Sequence, residues 1–454
     1  VVVFAIVWGL TTHGKFSLTG DEPHYLLMAE SLRVDGDLDL ANDYAPGAAA
    51  GRREPPPLDE HARPDRSGAL RSVHEPGLAV LLLPVHAVAT RLAGVLPPAR
   101  LEAFRMTPIL FGYALVSLFM LALTCLGLAL LVATLARRVP PGQARAAALL
   151  VALSPPMLSH AFLVFPEIVA FAAACLVLWT AYGPGRDHRW PLVVTSGALG
   201  LLPWTHRKFT LFAAGLLFVA VLARRNELRA LSRWRAAALA AVFLGPVIAF
   251  YAWSWLRWGS LAGPQALDGL PLSWRHATRG VPGLLIDREN GLLVWAPVYL
   301  AALVAWWHTR ARTWPLVVPV LLLYGLSAAN EMWWGGFAPA GRFLVPLVPL
   351  VAVPLASGLA HRVFARAVLV LCIPQLAISA IGWQRPRLLW PRGDGHNRVL
   401  ESLPGVGQAL NDQLPSFRMG PADPLAVAVV VVVLGAAGVA LAWATSRASR
   451  AEIS

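Results

Sequence analysis

The stretches 107–136, 343–360 and 425–444 are each close to or longer than the roughly 20 apolar residues that carry a helix across a bilayer. Backbone polar groups in hydrocarbon must be satisfied internally, so such a chain is a helical bundle or a closed barrel, and nothing here suggests a barrel. Composition agrees. Of 454 residues, 57% are hydrophobic and 14% are charged, against about 25% charged in a soluble domain. The expected fold is an all-α polytopic membrane protein. Spans are expected near 1–12, 108–136, 143–158, 162–182, 190–204, 209–223, 236–256, 291–307, 314–330, 341–360, 363–383 and 425–446, about 11–13 in all. Val1 opens inside an apolar run without a Met, so the first span is expected to be truncated. No internal repeat is evident.

Arginine placement sets the expected orientation. The net charge is +13, and among 38 basic residues only Lys15 and Lys208 are lysines. Arg224, Arg225, Arg229, Arg233 and Arg235 crowd the loop 224–235, which should be cytoplasmic. Counting from it puts Arg137, Arg138, Arg186, Arg189, Arg310, Arg312, Arg362 and Arg366 inside. It puts 13–107, 257–290, 331–340 and 384–424 outside. This holds if 75–94, broken by Pro84 and His86, lies at or dips into the outer face; a full crossing is the alternative. The organisation expected is therefore a first span (1–12) and an extracytoplasmic loop (13–107) with juxtamembrane helices. A bundle (108–383) with an outer loop (257–290) follows, then a second large outer loop (384–424), and a last span with a cytoplasmic tail (425–454). Ala45–Arg71, rich in Pro, Gly and Arg, reads as a mobile segment. No basic stripe sits on a soluble module, which argues against nucleic-acid binding. Cys125, Cys175 and Cys372 lie in apolar runs as packing residues, with neither disulfide nor metal spacing.

The most informative string is Thr19-Gly20-Asp21-Glu22-Pro23-His24-Tyr25. Pro23 suits a first helical turn, and Thr19 or Asp21 can cap it. A helix from Pro23 to Val34 would put Tyr25, Ala29 and Leu32 on one face, against the bilayer surface. Two carboxylates at the mouth of a span suit catalysis: Asp21 or Glu22 can deprotonate an acceptor hydroxyl while the other positions it or binds a metal. The bland reading is a capped surface helix. Asp35, Asp37, Asp39 and Asp43 resemble the start of a calcium loop but lack its later Gly and Glu, and read as a turn. His74-Glu75-Pro76-Gly77 is either a helix start or an acceptor or phosphate contact. Glu167 is an ionisable group inside an apolar segment, a costly placement that points to a partner or cavity. His206, Arg207 and Lys208 interrupt 201–218 on the outer side, against the positive-inside trend, and suit a phosphate. Glu289 closes an outer loop. Arg342 heads an apolar run where it can hold a lipid phosphate, and Trp333 and Trp334 read as interface anchors.

A first span, Gly-Asp-Glu-Pro-His-Tyr (20–25), Pro-Glu (166–167) in a middle span and Gly-Arg-Phe (341–343) at the head of a late one together resemble the GT-C glycosyltransferase superfamily. The likeness is to the bacterial branch allied to protein O-mannosyltransferases and the lipid A aminoarabinose transferase. Pro-Trp-Thr-His-Arg-Lys (203–208) and Gly-Leu-Leu-Val-Trp-Ala-Pro (291–297) look like further elements of that group. The resemblance implies a GT-C fold in a bacterial inner membrane, a polyprenyl-phosphate sugar donor, inversion at the anomeric carbon and an extracytoplasmic site. It matches Asp21 to the general base and Glu22 to its neighbour. His24, Tyr25, His74, His206, Arg207, Lys208, Glu289 and Arg342 stand as candidates for substrate or phosphate contacts. No metal ligand set and no certain cofactor are expected, and a divalent cation is left open. The implied partners are a lipid-linked sugar, membrane lipid and an unidentified acceptor. There is no Trp-Trp-Asp motif, His-Glu-Pro stands where relatives have His-Pro-Pro or Lys-Pro-Pro, and no large C-terminal soluble domain is expected. The acceptor therefore stays open. A transporter or flippase of lipid-linked sugars is the alternative function, and a ligase using the Arg- and His-bearing loop 384–424 is a third.

Overall fold

A computed structural model of the chain describes residues 18–44, 61–103, 106–264, 272–420 and 422–451. The span expected at 1–12 and most of the segment expected to be mobile lie outside the described residues. The described chain is helical apart from one small hairpin, β1 (Ala62–Pro64) against β2 (Leu70–Ser72). Among the described residues, six helical stretches are long and apolar enough to cross a membrane: Gly77–Val95, Pro108–Leu135, Arg233–Trp258, Val298–Ala328, Arg362–Gln384 and Pro424–Trp443. Pro166–Tyr182, Phe209–Ala223 and Arg342–Gly358 are shorter apolar helices.

In chain order, α1 is Glu22–Val34, α2 Gly77–Val95, α3 Pro108–Leu135, α4 Pro141–Ala152 and α5 Pro166–Tyr182. Then come α6 Trp190–Thr205, α7 Phe209–Ala223, α8 Arg233–Trp258, α9 Trp274–Ile286 and α10 Val298–Thr313. The last are α11 Val317–Ala328, α12 Val348–Gly358, α13 Arg362–Gln384 and α14 Pro424–Ala451. One buried apolar cluster, from Tyr25 and Leu78 through Phe171 and Phe212 to Leu350 and Phe364, joins most of them.

Polar contacts divide the bundle into two ends. At one end Tyr113, near the start of α3, reaches Glu22, and Lys208, before α7, reaches Glu167 at the start of α5. At the other, Arg137 pairs with Asp187, and Arg138 lies over Tyr182. Arg224 there binds the Gly185 and His188 carbonyls. α3 and α5 thus run side by side from the first end to the second. A 3-10 turn at Trp314–Leu316 divides Val298–Ala328 into α10 and α11. α2 starts against Trp204, where a Cβ on Gly77 would sit 2.5 Å from the Trp204 carbonyl. It then runs along α1, with His86 Nε2 2.9 Å from Glu30. α3 begins back beside Glu22, through Tyr113.

Three expectations change. Tyr25 and Ala29 are buried in protein rather than lying on lipid, because α2 covers that face of α1. The stretch 61–71 is an ordered hairpin: the Asp65 carboxylate accepts from the Ser67 amide and from Arg71 Nε, and the Arg66 amide donates to the Arg257 carbonyl. The span expected at 291–307 starts later, at Val298, because 292–295 form a separate short turn of helix ahead of Pro297.

Candidate active site

Two left-handed glycines set up the central contact. Gly20 (φ 55°) precedes Asp21, and Gly341 (φ 78°) precedes Arg342. A side chain at either position would strain the backbone. At Gly20 a Cβ would also meet the Phe337 carbonyl at 2.5 Å. Asp21 occupies the N-cap position of α1 but makes no side-chain cap. Its carboxylate instead accepts from Arg342 Nη2 at 2.6 Å, across most of the chain length. The neighbouring acidic string is absorbed by turns: Asp37 accepts from the Asp39 amide, and Asp39 from the Ala41 and Leu70 amides.

Arg342 is the hub. Its Nε donates to Glu167 at 3.0 Å and its Nη1 to the Gly335 carbonyl at 3.2 Å. Its guanidinium lies 4.0 Å from the Phe165 ring centroid. Glu167 is fully buried and takes a second contact from Lys208 Nζ at 2.5 Å. Lys208 sits 3.9 Å over Phe343. Arg207 Nε donates to buried Glu75 at 2.5 Å, and its Nη1 to the Leu261 carbonyl. Arg342, Lys208 and Arg207, the expected phosphate ligands, are each paired with a carboxylate. Cations at the edge of hydrocarbon are too costly to leave unpaired.

Glu22 departs from the expected catalytic role. Adjacent residues on a helix face different directions, and Glu22 turns inward with no exposure. It accepts from Tyr113 Oη (2.9 Å), the Val164 amide (2.8 Å), and the Thr19 amide and hydroxyl. Burial pushes its carboxyl up to about 7 against those hydrogen bonds. It pins α1 to α3 and to the segment just ahead of α5, and so positions Asp21. Asp21 keeps 22% of its side chain exposed. Burial opposes its ionisation, but Arg342 and His74 outweigh that and hold it well below the usual carboxylate range.

Imidazoles line the other side of Asp21. His74 Nε2 is 4.0 Å from Asp21 Oδ1 and 3.3 Å from His61 Nδ1. His24 stacks on His61 with centroids 4.0 Å apart, and its Nδ1 lies 2.7 Å from Tyr44 Oη. Burial and the neighbouring rings push His24 down to about 3. Burial also lowers His74 and His206, the latter helped by Lys208 and Arg342. Tyr25 Oη and Glu167 Oε2 are buried without a hydrogen-bond partner among the described residues. Asp21, His61 and His74 could hold a metal ion, since one ligand atom from each falls within 4.8 Å of the others.

The fold thus gathers Asp21, His24, Tyr25, His74, His206, Arg207, Lys208 and Arg342 at one end, with Glu22 behind them. Glu289 is not among them: it accepts from the Gly393 amide and faces Arg418, tying together the loops at 287–291 and 386–420. Glu167 is legible in the sequence as a costly ion, and Glu75 as part of a string that is either a helix start or an acceptor or phosphate contact. The sequence does not single out His61, which lies in a Pro- and Arg-rich run with no periodic signal.

No family model and no curated protein sequence matches the chain. Among solved structures it is similar to the crystal structure of ArnT from Cupriavidus metallidurans bound to undecaprenyl phosphate. The TM-score is 0.44 and the identity 13%, over 99% of this chain and 71% of that one. A likeness at that level fixes neither the activity nor the site, and the functional reading rests on the geometry above.

Proposed function

We propose that the chain is a GT-C-type membrane glycosyltransferase that moves a sugar from a polyprenyl-phosphate donor to an extracytoplasmic acceptor with inversion. The observation that carries this reading is the Asp21–Arg342–Glu167–Lys208 chain of contacts at one end of an apolar bundle. It sets a partly exposed carboxylate beside two cations, a grouping that suits a lipid phosphate. The opposite end carries Arg137, Arg138, Arg186, Arg189, Arg224 and Arg225. By the positive-inside trend that end is cytoplasmic, and the site faces out. Nucleotide sugars are cytoplasmic, so an outward-facing transferase needs a donor carried by the membrane.

In the reaction the acceptor oxygen forms a bond to the anomeric carbon as the bond from that carbon to phosphate breaks. The phosphate leaves with the electron pair, and the acceptor proton passes to Asp21. Held as low as it is, Asp21 does not strip a resting hydroxyl. It takes the proton once attack has made the hydroxyl acidic, which suits an oxocarbenium-like transition state with the phosphate bond largely broken. Lys208 and Arg342 stabilise the departing phosphate. Tyr25 Oη, buried and unpartnered among the described residues, is placed to donate to substrate. His206 accepts the Lys208 amide through Nδ1 and fixes the turn that aims Lys208.

A panel of radiolabelled polyprenyl-phosphate sugars incubated with membrane extract and the full chain tests the class. Transfer from at least one donor is expected. Failure with every donor, from folded protein, would contradict it and favour a transporter of lipid-linked sugars.

A further inference from the structure

The site holds three cations and three carboxylates in close pairs: Arg342 with Asp21 and Glu167, Lys208 with Glu167, and Arg207 with Glu75. Their formal charges cancel. Lys208 and Arg342 thus meet the departing phosphate already partnered by carboxylates, so a further cation would add to their effect.

Next to Asp21, on the side away from Arg342, stands a group the transfer chemistry has not used. His61 Nδ1 and His74 Nε2 are 3.3 Å apart, and Asp21 Oδ1 lies 4.0 Å from His74 Nε2. Two nitrogens each about 2.05 Å from a tetrahedral ion lie roughly 3.3–3.4 Å from one another. The imidazole pair is therefore already spaced as a metal chelate, and a small shift brings the carboxylate oxygen in as the third ligand. All three residues are half-buried, open enough for an ion to enter. The support is also built. His24 stacks on His61 and is itself held by Tyr44, and the Ser72 hydroxyl accepts the His74 amide. Such outer contacts orient metal-binding imidazoles elsewhere.

We propose that Asp21, His61 and His74 bind one divalent transition-metal ion. Two imidazoles and a carboxylate favour zinc or cobalt over magnesium, calcium or manganese, which suit oxygen ligands. The ion would bring net positive charge to the donor phosphate. That role rests on the glycosyltransferase reading, whereas the binding site does not.

The test uses the full chain in detergent, purified without a polyhistidine tag, stripped with chelator and titrated with Co2+ and Zn2+. The expected result is one equivalent of Co2+ with the visible bands of a low-coordinate N/O site, displaced by Zn2+. His61→Gln and His74→Gln should each weaken binding roughly tenfold or more, while His188→Ala, an exposed ring at the opposite end, leaves it unchanged. Metal-free melting of the His61 and His74 variants guards against misfolding. Binding that is non-stoichiometric, or that folded His61→Gln and His74→Gln variants retain, overturns the site. Asp21-dependent transfer that persists in chelator without metal overturns its role with the phosphate and leaves the transferase standing. Stoichiometric binding without transfer from any donor would count against the transferase and leave the site standing.

Discussion

Glu167→Gln removes one charge and little volume, and its cost can be worked from the site. Glu167 is fully buried and bridges Lys208 and Arg342. Breaking a buried ion pair and stranding a charge costs about 3–5 kcal/mol. Lys208 has a cheaper exit. Burial, opposed by Glu167, already brings it down from 10.5 to about 8. Giving up its proton at pH 7 costs only about 1 kcal/mol more, so the variant should hold Lys208 neutral. Arg342 cannot deprotonate but keeps Asp21. The sign follows from linkage. Lys208 titrates lower in the folded chain than in the unfolded one, so stability rises with pH once the folded form has lost its proton. In the parent that begins near pH 8; in the variant it begins lower. Between those points the variant gains on the parent by about 1.4 kcal/mol per pH unit. The assay is thermal unfolding of both proteins in one detergent from pH 6.5 to 9. The difference in midpoint should narrow toward pH 8 and stay level above it. A difference independent of pH would show that Glu167 does not hold the Lys208 proton.

Other consequences are as concrete. Donor binding to the parent should weaken as pH rises through about 8, where Lys208 loses its charge, and Lys208→Arg should remove that limb from the binding profile. Tyr113→Phe deletes a hydrogen bond to the buried Glu22 carboxylate and should cost about 1–3 kcal/mol in stability, read by thermal melting. Gly20→Ala forces a side chain onto a left-handed residue 2.5 Å from the Phe337 carbonyl. It should lower stability by about 1–3 kcal/mol and reduce transfer, because it displaces Asp21 from Arg342.

The sequence was most readable where apolar runs are bounded by charge. The helix at 209–223 was placed at its observed bounds because Lys208 and Arg224 frame an unbroken apolar segment. Pattern failed where tertiary contacts decide. The hairpin at 62–72 has little periodicity, and it exists because Asp65 collects the Ser67 amide and Arg71 and because the Leu40 amide bonds to Leu70. His61 therefore could not be read as a site residue. Asp21 was legible as an acid at a helix start, and Arg342 as a cation heading an apolar run. Their pairing was not, since contacts between residues 321 apart in sequence leave no local trace. The burial of Glu22 is not legible either: adjacency in sequence suggests shared chemistry, whereas the helix turns the two carboxylates apart.

The central claim is most directly tested by Asp21→Asn, which keeps the shape and a hydrogen-bond acceptor for Arg342 but cannot take a proton. Folded variant and parent would be compared for binding of a radiolabelled polyprenyl-phosphate sugar and for its transfer. The account predicts transfer reduced by about 10²–10⁴-fold in the folded variant, whatever the change in donor binding. Transfer at the parent rate would contradict it.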